Sequence, residues 1–173
     1  MYQIPMHSRF LMLLAAAFLM TILAKNDSNA HSTDLYGAPI SVESARKVAI
    51  AAIAEGKKNN WQIAVAIVDT GGVLVYFERI DGTQTGSIDL AIEKARTAVA
   101  YKRSTKLLED RIIEGRLQYL RQGVAIPIEG GLTISEDGKI VGAIGVSGVK
   151  STQDGVCAKA GVDAVSPIAV KPK

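Results

Sequence analysis

Apolar positions along this chain recur with two periods, one helical and one extended. Val42, Ala45, Val48, Ala49, Ala52 and Ile53 are spaced by threes and fours. With Ser41 as N-cap and Glu43 and Ser44 in the first turn, they predict an amphipathic helix to about Lys58. Gln62–Asp69 (QIAVAIVD) and Val73–Arg79 (VLVYFER) are β-rich runs separated by Thr70-Gly71-Gly72. Glycines that accept a positive φ make this a hairpin. A second helix is expected from Ser87 to about Leu108, with Ile88, Ala91, Ile92, Ala95, Ala98 and Val99 as its buried stripe. A shorter helical stretch, Glu109–Arg121, follows. Gly123–Gly131 reads as a loop, and Leu132–Ser135 and Lys139–Val146 form a second hairpin around Glu136-Asp137-Gly138. A last helix spans about Gln153–Val165.

The order α-β-β-α-α-β-β-α predicts an α/β sandwich. Its central antiparallel sheet has at least four strands and is flanked by helices that bury their apolar stripes against it. The turns VDTGGVLV and SEDGKIVG carry a faint internal similarity. No G-x-G-x-x-G follows a strand and no P-loop is present, so a doubly wound nucleotide fold is excluded.

The amino terminus follows another rule. Phe10–Ala24 is an almost unbroken apolar run behind Arg9, short of the ~20 residues a spanning helix needs but suited to a signal peptide. Ser28 and Ala30 supply an S-x-A cleavage pattern. Residues 1–30 are therefore expected to be a signal peptide and residues 31–173 a single domain, periplasmic or secreted, with no stable membrane insertion after cleavage.

Cleavage changes the available chemistry. All four methionines and His7 leave with the signal, and His31, at the new terminus, is the one histidine that stays. Ser-His-Asp catalysis, His-cluster metal sites and His/Met haem ligation are thus absent from the core. His31 with a free terminal amine would form a copper- or nickel-chelating pair. The single Cys157 excludes an internal disulfide, a cysteine-rich zinc site and C-x-x-C-H attachment. With 20 basic against 17 acidic residues, nothing favours nucleic acid.

Four ordered segments, AIVDTGGVLVYFERIDG, GSIDLAIEKARTA, PIEGGLTISEDGKIVGAIGVSG and QDGVCAKAGVDA, together resemble the GlcG/HbpS-type haem-binding family from roughly Tyr36 to Val165. The resemblance implies a profilin-like sandwich, often a homo-oligomer, with haem as cofactor and iron as its metal. The chain departs from the family pattern at Val73, where many members have histidine. It departs again at Leu132-Thr133-Ile134, where many carry proline.

Several residues are candidates under that resemblance. Lys94, Thr97 and Tyr101 share one stripe of the second helix, placing an ammonium, a hydroxyl and a phenol beside an apolar face. Thr97 lies in the matching KARTA segment and is carried over as a haem contact; Thr97 and Tyr101 are the candidate iron ligands. Thr97 bonding a helix carbonyl, with Tyr101 merely packed, is the plainer account. Gly130 and Gly131 would let backbone amides approach a ligand. Arg79, among Asp69, Glu78 and Asp81, is a carboxylate clamp or one member of a strand-end salt-bridge network. Haem sequestration, sensing or degradation is the leading functional expectation. A small-molecule enzyme using Arg79 on a carboxylated or keto-acid metabolite is the alternative, and a structural or sensor-partner oligomer a third.

Overall fold

The computed structural model describes residues 34–121, 123 and 125–165. The expected signal peptide and His31 lie outside them. The elements run α1 (Val42–Lys58), β1 (Ala64–Asp69), β2 (Leu74–Arg79), α2 (Gly86–Tyr101), α3 (Thr105–Ile113), a 3-10 turn (Leu117–Arg121), β3 (Gly131–Glu136), β4 (Lys139–Ser147) and α4 (Ser151–Asp163). One four-stranded sheet has the order β2-β1-β4-β3, every neighbour antiparallel. The α/β sandwich expected from the periodicity is the fold.

The sheet's two faces bury different kinds of side chain. α1 and α4 cover one face, where Val48, Ile53, Ile63, Val65, Ile67, Ile144 and Val146 form the larger apolar core. α2 covers the other face, against Ala64, Ala66, Val68 and Ala143. Alternation along β1 explains the split, because successive side chains of a strand point to opposite faces. Small residues on the second face bring α2 very close. A side chain at Gly145 would strike the Ala91 carbonyl and lie 2.6 Å from the Ala95 amide nitrogen.

Two boundaries differ from expectation. The predicted continuous helix Ser87–Leu108 breaks at Lys102, which is left-handed at φ 52°. Ser104 then restarts the chain as N-cap of α3, its hydroxyl accepting from the Leu107 amide at 3.3 Å. The break turns Thr105 and Leu108 inward, whereas Ile88 and Ile92 of the predicted stripe are only half-buried. The predicted stretch Glu109–Arg121 is likewise divided, because Gly115 sits at φ 90° between α3 and the 3-10 turn. The first helix is as expected: Ser41 caps it, accepting from the Ser44 amide at 3.0 Å, and it ends at Lys58.

Candidate functional site

Lys94 and Thr97 sit one turn apart on α2 and face the loop that leads into β3. The Lys94 and Asp154 side chains are 1% and 3% exposed and form an ion pair of 2.8 Å. Lys94 Nζ also donates to the Val146 carbonyl at 3.0 Å, and Asp154 Oδ1 accepts from the Val149 amide at 3.2 Å. Burial pushes the Asp154 carboxyl above its ordinary value, and the Lys94 charge opposes that rise. Within its fold this ammonium ties α2 to β4 and α4. The Lys94 side chain, expected to face a ligand beside Thr97 and Tyr101, points inward to Asp154.

The glycine pair is dictated by this lock. Gly130 has φ 128°, and a side chain there would lie 2.6 Å from the Val146 carbonyl oxygen and 2.9 Å from Lys94 Nζ. At Gly131 a side chain would strike the Lys94 carbonyl and come within 2.6 Å of Thr105 Cγ2. Three amides of the same loop donate to side chains of the adjoining helices. Ile126 N–H donates to Thr97 Oγ1 at 2.9 Å, Glu129 N–H to Glu109 Oε2 at 2.8 Å, and Gly131 N–H to Thr105 Oγ1 at 2.8 Å. Lys94, Thr97, Gly130 and Gly131 are therefore brought together, as anchors of Ile126–Gly131. Thr97 is fully buried and turned to the loop. The Gly131 amide, expected to reach a ligand, donates to Thr105 instead.

Tyr101 and Arg79 stand apart from this group. Arg79 is exposed at the end of β2, on the edge opposite β3, about 14 Å away across three strand spacings. It is level with Ala64 and Ser147, and Ser147 donates to Ser87 Oγ at 3.2 Å near the start of α2. Tyr101 is half-buried at the other end of α2, about 21 Å farther along at 1.5 Å per residue. Arg79 and Tyr101, expected as a carboxylate clamp and its proton-moving partner, are thus not brought together within one chain. The expected strand-end salt-bridge network is also absent among the described residues. Asp69 Oδ1 caps its own turn through the Gly71 and Val73 amides, and Glu78 accepts from Tyr76 Oη.

Sequence reasoning missed Asp154, Thr105 and Glu109. Thr105 had a local signal, since Ser104 next to it is a helix N-cap type. Asp154 had none: it lies 60 residues from Lys94, and only the packed fold joins them. Cys157 is buried, with its thiol pushed up to about 12 by burial first and by the Asp154 and Glu55 charges after it. It behaves as a small apolar side chain. Burial likewise raises the Glu129 carboxyl. Among the described residues no group of three His, Cys, Asp or Glu side chains could hold a metal ion, and no helix is long and apolar enough to cross a membrane.

A cleft of about 340 Å³ lies between the turn Thr70–Gly72 and Arg96, Val99 and Ala100 of α2. Arg96 spans its mouth, donating to the Gly72 carbonyl at 3.1 Å and pairing with Glu93 at 2.7 Å. Beyond the anchored loop, Ile113, Leu117, Leu120 and Ile128 are 77%, 60%, 60% and 37% exposed. α3 packs on the 3-10 turn, and the Glu109–Glu129 bond lays the loop beside α3, so the elements that carry these side chains adjoin one another.

Known proteins share this architecture. Protein GlcG of Escherichia coli K12 is 36% identical over 108 residues, covering 62% of this chain and 81% of GlcG. A double mutant of HbpS from Streptomyces reticuli superposes with a TM-score of 0.70 at 27% identity, covering 83% of this chain and 96% of that one. A crystal structure described as a PduOC:heme complex gives a TM-score of 0.68 at 28% identity, covering 75% of this chain and 96% of its own. The family model described as haem degrading protein HbpS-like matches residues 40–163, and the chain belongs to that family.

Proposed function

We propose that this chain is an exported haem-binding protein. The observation that carries the reading is the likeness to PduOC in complex with haem, which extends over 96% of that domain. The family's description, haem degrading protein, supports the same ligand. Export rests on the apolar run Phe10–Ala24 and the S-x-A pattern before His31.

Haem asks three things of a protein: an apolar surface for the macrocycle, cations for two propionates and, for tight ligation, a donor for iron. The exposed Ile113, Leu117, Leu120 and Ile128 supply the first. Arg111 and Arg121 on the same elements, and Arg116 in the link between them, supply the second, although Arg111 also pairs with Glu114 at 2.9 Å. The residues fit the group. Bound iron would supply redox and peroxide chemistry, so sequestration, sensing and slow degradation all follow from one bound state. The chain's own part is to hold the plate against this surface through the anchored loop. The Lys94–Asp154 lock and the three amide bonds keep Ile128 and Glu129 in place beneath it.

An absorption titration of the purified protein with hemin tests the reading. A saturable Soret shift at micromolar protein supports it; hemin that stays unbound overturns it. Adding peroxide or ascorbate then separates degradation, seen as Soret loss with iron release, from simple storage. Assembly into homo-oligomers is a further part of the proposal, supported by the open edge of β2 with Val73 63% and Leu74 41% exposed beside it. A monomer mass by light scattering overturns that part alone.

A further inference from the structure

Resting on the haem-binding reading, we infer that Tyr119 is the axial ligand of ferric haem in this chain. The described residues contain no histidine and no methionine, so among them an iron donor comes from oxygen or sulfur. Cys157 is fully buried on the inner face of α4. Thr97 is fully buried and accepts from the Ile126 amide. Tyr36 donates to the Val99 carbonyl at 2.7 Å, and Tyr76 donates to Glu78 while packing on the larger core. Tyr101 lies at the end of α2, outside the exposed apolar surface.

Tyr119 has the right setting. In a 3-10 turn residues three apart eclipse one another. Leu117 and Leu120 thus form one exposed apolar row, with the half-buried Tyr119 beside it and Arg116 just before the turn. The Arg116 guanidinium carbon lies 5.3 Å from the Tyr119 ring centroid. A phenol, a cation and an apolar surface are presented together, which is what a ferric tetrapyrrole carrying propionates needs. On binding, the Tyr119 O–H bond breaks and its proton passes to solvent water. The phenolate oxygen forms the Fe–O bond in place of the water or hydroxide that hemin carried. Iron stays ferric, and Arg116 supplies the counter-charge.

The test combines hemin titration of the full protein with electron paramagnetic resonance and resonance Raman spectra. Wild type is expected to show a high-spin ferric tyrosinate signature. Tyr119→Phe should lose that signature and weaken affinity about tenfold, equivalent to about 1.4 kcal/mol. Tyr119→His should restore affinity with the different spectrum of an imidazole ligand, and Tyr101→Phe should match wild type. Circular dichroism checks that each variant is folded. Saturable binding with a signature that survives Tyr119→Phe overturns the ligand assignment and leaves the haem reading standing. Wild type that does not bind hemin overturns both. A stable dimer that Leu117→Ser with Leu120→Ser splits, with hemin affinity unaltered, places a second copy on this surface and also overturns the assignment.

Discussion

β2 and β3 are the two edges of one sheet, each paired to a central strand through a glycine-bearing turn, yet the fold treats them oppositely. β2 is left open, with no buried residue along its length and Glu78 and Arg79 at its far end. Its charged side chains lie at the solvated end of the strand, where water and salt screen them. β3 is sealed. Gly131 and Ile134 are buried, the preceding loop donates three amides to α2 and α3, and the Lys94–Asp154 pair lies beneath it. Charge in the sequence drew attention to the open edge, whereas burial puts the consequential polar groups at the closed one.

The sharpest way to break the contrast is Lys94→Met. It leaves Asp154 buried without its cation and should cost about 3–5 kcal/mol in urea unfolding. Adding Asp154→Leu should recover most of that loss, because a buried ion pair contributes little net stability over an apolar pair. Recovery below half of the loss would mean that the pair is needed for the loop's geometry rather than as matched charge.

Thr105→Val is next. It removes the acceptor for the buried Gly131 amide and should cost about 1–3 kcal/mol. The same denaturation curve checks it, and a change below 0.5 kcal/mol, roughly the range of surface substitutions, would count against the anchoring.

A smaller effect is expected from pH. Burial raises Glu129 above its ordinary value, so the folded state holds this proton more firmly than the unfolded chain. The contribution is therefore complete below the unfolded value and is lost as pH rises through the raised folded one. Asp154 is shifted the same way, so the variant must be compared with wild type. Glu129→Gln should flatten part of the slope just above pH 4.5 and gain less than about 1 kcal/mol at neutral pH after solvent screening. An unchanged slope would show that the carboxyl is not desolvated in solution.

Arg79→Ala should do least. At the open edge, unfolding free energy should stay within about 0.5 kcal/mol of wild type and hemin affinity should not move. Weaker hemin binding in this variant would return the site to β2.

Much was legible in the sequence because it is local. Hydrophobic period, the Ser41 cap and the glycine turns each act within a few residues, and together they specified the element order and antiparallel hairpins. The GG pair was visible as a close approach, but not what approaches it. The break at Lys102 escaped notice because a left-handed lysine has no composition signal and is held by the packing of Thr105 and Leu108. Spacing on α2 correctly placed Lys94 and Thr97 near one another, but not which way that stripe faced. That direction depended on the small residues of β1 and β4, which draw α2 onto the sheet, and on Asp154, contributed by α4. The sequence by itself determined the sandwich, since periodicity is a property of neighbours along the chain. Only the tertiary structure decided which polar groups lie buried and which reach solvent, because burial is a property of neighbours in space.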